Sequence, residues 1–241
     1  MTKEWFKELD DELWLQGDER ADEQAAFIKK VLRLRKGQTV LDAPCGDGRI
    51  AVGLARLGLL VVGVDHDPYF IARARARFEE EGLEGEFLVG DIREVAFVGC
   101  FHAAINWGGS FGYFSDEENF ETLQRLARAV RKGGRVLVDQ PNREHILRHF
   151  RRRQERGRVE IKNRWDARRE RVVGRWTLRR HGSIHRFKTS IRLYTPREMR
   201  ALFRKAGLKA GAAYGTPEGR RFRRTSPRLI LVGTRTRSSE L

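Results

Sequence analysis

The chain has 241 residues, 40% hydrophobic and 34% charged, with 24 Gly and 6 Pro, which supplies one sizeable α/β domain and excludes fibrous and disordered classes. Lys and Arg total 49 against 33 Asp and Glu, and the excess is uneven: residues 1–150 carry −5 while residues 151–241 carry +21. No apolar run approaches the roughly 18 residues of a membrane helix, the opening Thr2-Lys3-Glu4-Trp5 lacks a signal-peptide pattern, and Cys45 and Cys100 with no zinc-type spacing give neither a disulfide framework nor a metal site, so a soluble, cytoplasmic protein without a structural metal is expected.

Residues 3–35 read as two amphipathic helices, the first with Trp5, Leu9 and Leu13 at i, i+4, i+8 and the second with Ala25, Ile28, Val31 and Leu32 on one side. After Gly37 the period changes. Thr39 to Asp42 is a short apolar strand, a Gly-rich turn follows, and Ile50 to Leu57 has helical spacing. Leu59 to Asp65 is a continuous apolar run, as in a parallel strand covered on both faces. Asp67 then caps a helix with Pro68 in its first turn, running to about Gly82.

Glu86 to Val89 and Phe101 to Asn106 continue the strands. Ser115 with Glu118 forms a capping box opening a helix expected to end at Gly133-Gly134, before a fifth strand at Arg135 to Val138. Thr195 with Glu198 is a second capping box, for a helix that stops at Gly207; strands at Leu208 to Tyr214 and Arg228 to Val232 close the chain. This alternation predicts an open, mostly parallel, Rossmann-like seven-stranded sheet with helices on both faces.

Residues 158–194 instead alternate with period two. Val159, Ile161, Asn163 and Trp165 share one face, as do Val172, Gly174, Trp176 and Leu178, and Phe187, Thr189, Ile191 and Leu193. A three-stranded antiparallel insertion is expected, with Arg175, Arg179, Arg186, Lys188 and Arg192 on its other face. Two readings of that basic excess stay open: a polyanionic or phosphorylated partner, or an Arg-rich surface with none, since only ten of the basic residues are lysine.

The turn Gly46 to Ala51 fits G-x-G-x-x-G/A, where glycines let the backbone approach a ligand and the next helix offers N–H groups to an anion. Nineteen residues beyond Gly46, Asp65 ends the second strand, where a carboxylate accepts ribose hydroxyls. The pair points to a nucleoside-containing cofactor. A nicotinamide dinucleotide would use the same glycines, but Asp42 at the end of the first strand suits a cofactor with an amino acid moiety, and Gly90-Asp91 has no dinucleotide counterpart.

Val40-Leu-Asp-Ala-Pro-Cys-Gly-Asp-Gly-Arg49, then Gly63-Val-Asp65, then Gly90-Asp91 resemble the class I S-adenosylmethionine-dependent methyltransferases over about residues 37–140. The resemblance places Asp42, Ala43, Cys45, Gly46 and Gly48 under the methionine and ribose portions of S-adenosylmethionine, Asp65 on the ribose and Asp91 near the adenine amino group. His66 and Ile92 would sandwich the adenine. It further implies helices at 1–36 over the active site, a cofactor-binding domain at 37–145 and 195–241, and an inserted sheet at 155–194 acting as lid or dimer surface, in a monomer or homodimer. Asp42-Ala-Pro-Cys45 also resembles the catalytic-cysteine motif of RNA cytosine-5 methyltransferases, but it ends the first strand rather than the fourth, which makes Cys45 a small buried residue of the cofactor loop.

Asn106-Trp107-Gly108-Gly109-Ser110-Phe111-Gly112-Tyr113-Phe114 is expected to wall the methyl-transfer site, with Asn106 and Trp107 against the cofactor. It lacks the Asn/Asp-Pro-Pro-aromatic signature of enzymes that methylate exocyclic adenine or glutamine amides. The Ser-Phe-Gly-Tyr form, the inserted sheet and Arg192-Leu-Tyr194-Thr-Pro are loosely similar to amino-sugar N-methyltransferases. Tyr113, His145 and Tyr194 are the candidate catalytic residues. The expected reaction is methylation of N or O on a small, anionic or phosphorylated metabolite; the alternative acceptor is RNA, held by the basic half. Because aromatics alternate with basic residues on the insertion, they cannot combine stacking with phosphate contacts on one surface.

Overall fold

The computed structural model describes residues 19–180 and 183–236; the helix expected around Trp5, Leu9 and Leu13 lies outside them. The chain runs α1 (Ala21–Val31), β1 (Thr39–Asp42), α2 (Arg49–Arg56), β2 (Leu60–Asp65), α3 (Pro68–Glu80), β3 (Gly85–Val89), β4 (Phe101–Asn106), α4 (Asp116–Ala129) and β5 (Val130–Pro141). It continues through α5 (Arg143–Arg148), β6 (Arg153–Arg156), β7 (Val159–Asp166), β8 (Arg171–Arg180), β9 (Ser183–Arg192), α6 (Pro196–Lys205), β10 (Leu208–Tyr214) and β11 (Arg228–Arg235). Among the described residues, no helix is long and apolar enough to cross a membrane.

The main sheet has the order β10-β11-β5-β4-β1-β2-β3, parallel except where β11 pairs antiparallel with β5 and β10. The apolar strand runs follow from this placement, because β1, β4 and β5 are covered on both faces. Ile28 of α1, Leu54 of α2 and Ile71 of α3 pack on one side with Ile105 and Leu137, while Leu123 and Leu126 of α4 and Phe203 of α6 pack on the other with Leu41 and Val138. Each such side chain is essentially inaccessible, a burial that contributes about 1.5–3 kcal/mol apiece. Both capping boxes form: Ser115 and Thr195 accept from the backbone N–H of Glu118 and Glu198, whose carboxylates reach back. Asp67 caps α3 by accepting from Tyr69 N.

The helix expected to reach Gly133-Gly134 ends at Ala129 instead. Val130 is buried and pairs with Phe101, so β5 starts there, and Gly133 (φ +77°) sits where the register slips between Phe101 and Ala103. A β-branched residue filling the core beside the neighbouring strand overrides helical continuation.

The insertion is a four-stranded sheet, β6-β7-β8-β9, rather than three-stranded. The extra strand, β6, consists of Arg-Gln-Glu-Arg and carries no apolar alternation to announce it; a short charged edge strand is also the usual guard against edge-to-edge pairing. The register of the other three strands matches the alternation: Ile161 faces Trp176, which faces Phe187, and Asn163 faces Gly174, which faces Thr189. Arg192, expected on the solvent-facing basic side, is 6% exposed. At the end of β9 that side meets the first turns of α4 and α6, and Arg192 pairs with Glu170 (2.5 Å), Glu198 (2.6 Å) and Asp116 (3.2 Å).

Arg171, opposite Arg192 in the ladder, reaches the loop after β4. Its guanidinium donates to the carbonyls of Gly112 (3.1 Å), Tyr113 (3.2 Å) and Phe114 (2.9 Å), and to Ser190. Arg192 N also donates to Gly112 O (2.8 Å). Gly112 (φ +105°) lies so close to β9 that a Cβ would collide with the Arg192 carbonyl. Gly112→Ala should therefore destabilise the protein by about 2–4 kcal/mol, the range for backbone strain plus overpacking. Urea unfolding checks this; an unchanged midpoint would show that the loop is not locked to the insertion.

Candidate active site

The carboxyl ends of the parallel strands meet at one edge of the sheet, where ligands bind in open α/β folds. From Asp42 the chain turns through Gly46 (φ +54°) and Gly48 (φ +79°) into α2. Gly48 presses on α3, and a Cβ there would lie 2.8 Å from Ala74 Cβ. Cys45 N donates to Val64 O (3.0 Å) and Gly46 N to Asp65 Oδ2 (2.9 Å). The other Asp65 oxygen accepts from Asp67 N (3.1 Å) and lies 3.1 Å from His66 Nδ1. Asp65 is thus both the floor of the cleft and the tie that fixes the glycine turn.

Asp42, Cys45, Gly46, Asp65, His66, Asp91, Ile92, Trp107 and Tyr113 line one cleft, with Pro44, Asp47, Arg49, Ile50, Phe70, Gly108, Ser110 and Phe114. Three expected residues serve it from behind. Ala43 and Asn106 are fully buried, Asn106 Nδ2 donating to Ala43 O (2.9 Å), and Gly48 sets the start of α2. Asp91 is held by Arg93, whose Nε and Nη2 donate to it at 2.5–3.1 Å while the guanidinium covers the Phe114 ring (4.6 Å) and reaches Glu118.

Two candidate catalytic residues lie elsewhere. His145 is half-buried on α5, outside the cleft lining, with Nδ1 3.1 Å from Thr225 O and its ring 4.3 Å from that of His149. Tyr194 is buried in the core, donating to Asp116 (2.7 Å) and accepting from Asn119 Nδ2 (3.1 Å). Position after a strand end suggested both, but tertiary packing turns one away from the cleft and the other into the Arg192 ion cluster. Tyr113 lines the cleft, and burial holds its phenol well above the ordinary value, so it is a hydrogen-bond donor at neutral pH rather than a base. Burial, reinforced by Asp42 and Asp65, likewise pushes the Cys45 thiol up, which removes it as a thiolate nucleophile.

Sequence reasoning missed two residues. Arg49, 8% exposed at the first position of α2, lines the cleft, and Gln24 Oε1 accepts from both its terminal nitrogens (3.2 Å each) and from Trp107 Nε1 (3.0 Å). Gln24 is four residues before Ile28, a polar residue on the apolar stripe of α1, and that position was the available signal.

S-adenosylmethionine carries an ammonium, a carboxylate, a sulfonium and an adenosine, and the cleft matches its charged end. Asp42 is 2% exposed, and its Oδ1 is buried without a hydrogen-bond partner among the described residues. Desolvation, then the nearby Asp65 charge, pushes Asp42 up to about 8 against the opposing pull of Arg49. A buried carboxylate in that state is completed by a cation. Arg49 and the α2 N-terminus offer the complementary site for a carboxylate.

A seven-stranded sheet of this order, with a nucleoside-type cleft at the ends of β1, β2 and β3, defines a Rossmann-like methyltransferase fold. Residues 40–134 match a family model described as "Methyltransferase domain". Human glycine N-methyltransferase is 29% identical over 144 residues, covering 53% of this chain and 49% of that one. The CcbJ methyltransferase of Streptomyces caelestis superposes with a TM-score of 0.76 at 17% identity, covering 92% and 93% of the two chains. The sugar N-methyltransferase KedS8 of a Streptoalloteichus species superposes at 0.65 with 16% identity, covering 90% and 89%. The chain spans about half the length of the curated relatives it matches.

Because a bound ammonium lowers the pKa of Asp42, binding of S-adenosylhomocysteine should release a proton below about pH 8. Affinity should rise with pH by up to about tenfold per unit and level off above that value. Calorimetry in two buffers of different ionisation enthalpy measures the proton release; Asp42→Asn should abolish it and weaken binding.

Proposed function

We propose that the protein transfers the methyl group of S-adenosylmethionine to a nitrogen of a small metabolite in the cytoplasm. The cofactor supplies an already activated methyl on sulfur, so the protein's work is alignment and desolvation. Asp42 and Arg49 would hold the amino acid end, Asp65 the ribose, and His66 and Ile92 the two sides of the adenine. The acceptor then meets the wall from Trp107 to Phe114.

The composition of that wall supports nitrogen over oxygen. From Trp107 to Phe114 it offers the hydroxyls of Ser110 and Tyr113 but no carboxylate or imidazole, and Asp139 behind it is paired with Arg228. A hydroxyl acceptor needs a base within hydrogen-bond reach; an amine that arrives neutral does not. Its lone pair forms the N–C bond as the C–S bond breaks, and the surplus proton passes to water. Trp107 and Phe114 would keep the bound amine in a low-polarity setting that favours the neutral form.

RNA is the second reading, and one observation favours it. Arg153, Lys162, Arg175 and Lys188 stand directly opposite one another across all four strands of the insertion; Glu155 and Glu160 pair with the first two, and an anionic backbone would relieve the like charge of Arg175 and Lys188. The aromatic pair Trp176 and Phe187 occupies the other face, which weighs against it.

Wild-type protein should bind S-adenosylhomocysteine at micromolar concentration, with at least tenfold loss in Asp65→Ala by calorimetry. Labelled methyl from S-adenosylmethionine should then appear in small amines and not in total RNA. Absence of binding by folded wild-type protein would refute the reading; label in RNA would favour the alternative.

A further inference from the structure

A charged pair outside the residues that line the cleft braces the backbone of its wall at Gly108 and Gly109. Asp139 closes the apolar run of β5, is 2% exposed, and accepts from Gly108 N (3.1 Å) on the cleft wall. Arg228 opens β11 beside it, and its Nε and Nη2 donate to the two Asp139 oxygens at 2.8 and 2.5 Å. This side-on fork fixes the guanidinium and leaves Nη1 with no hydrogen-bond partner among the described residues, on a side chain 24% exposed. The backbone that carries it is pinned too: Asn142 Nδ2 donates to the carbonyls of Arg224 and Ser226, and Asn142 N to that of Pro227.

The loop that walls the cleft passes close to this guanidinium, which stays 24% exposed. Gly109 (φ +90°) passes beneath it, and a Cβ there would stand 3.1 Å from Nη2 and 3.5 Å from Nη1. A salt bridge serving only to brace Gly108 does not need a guanidinium with one nitrogen left unpaired; a fork oriented by a buried carboxylate, with Nη1 still available to donate, is the geometry for an anion.

Resting on the methyltransferase reading, we infer that Arg228, oriented by Asp139, binds a carboxylate or phosphate group of the methyl acceptor. The substrate class is thus a small amine that carries an anionic group. Arg228 is a specificity-determining residue and Asp139 a positioning residue behind it.

Inorganic phosphate is the probe. Its ³¹P resonance is followed on addition of wild-type protein, Arg228→Gln and Arg228→Lys, in 150 mM potassium chloride to suppress diffuse binding by other cations, with saturating S-adenosylhomocysteine. Wild-type protein should broaden the line saturably, Arg228→Lys should bind at least tenfold more weakly, and Arg228→Gln should not bind. Retained S-adenosylhomocysteine affinity marks each variant as folded, and the lysine variant decides if the glutamine one unfolds. Equal broadening by wild type and variants, or none by wild type, overturns the proposal. Failure of wild type to bind S-adenosylhomocysteine would sink the methyltransferase reading instead, and the same phosphate comparison without it would still decide Arg228.

Discussion

The Asp65 carboxylate is the constraint around which the site is assembled. By accepting from Gly46 N and Asp67 N it joins the turn after β1 to the turn after β2, so two parallel strands and two helices share one anchor. The rest of the turn geometry follows from steric necessity. Gly48 takes a left-handed conformation with no room for a Cβ against Ala74, and α2 therefore starts close to α3 with its N-terminus at the cleft.

The insertion contributes to the same cleft at one remove. Arg171 and Arg192 come from neighbouring strands, and their hydrogen bonds reach the backbone that carries Tyr113 and Phe114. Burying Arg192 costs several kcal/mol of desolvation, offset here by three carboxylates and by hydrogen bonds rather than by a single partner. Replacing such a cluster with apolar side chains is often neutral for stability. Its value in this chain is positional: Glu170 pairs with both Arg192 and Arg143, so the sheet, α5, α6 and the cleft wall keep one arrangement.

Much of this was legible in the sequence, and the parts that were not share a cause. Period and capping are local properties, so the main strands, the two capping boxes and the face alternation of the insertion could be read from residue order. Contacts with distant residues leave no such trace. Val130 starts a strand because Phe101 lies beside it, β6 pairs without any apolar signal, and Arg192 is indistinguishable in sequence from its exposed neighbours. In the site, the residues next to glycine turns and strand ends were identifiable because the backbone itself brings them together. Gln24, Arg49 and Arg228 act across 25 to 89 residues of separation, and His145 and Tyr194 show the converse, strand-end placement without access to the cleft.

Charge gives the cleft a direction. Desolvation, reinforced by the nearby Asp65 charge, disfavours ionisation of the buried Asp42, and the free protein keeps Asp42 largely protonated at neutral pH. In the proposed reaction Asp42 and Asp65 would face the ammonium and sulfonium of the cofactor, and their attraction for those cations would be stronger than in water because the surroundings exclude it. Transfer to a nitrogen would move the positive charge from sulfur to the acceptor. The product would keep the ammonium but not the sulfonium, so the same carboxylates would hold it less tightly than the cofactor. The electrostatics that would select the cofactor would therefore also favour release of its product.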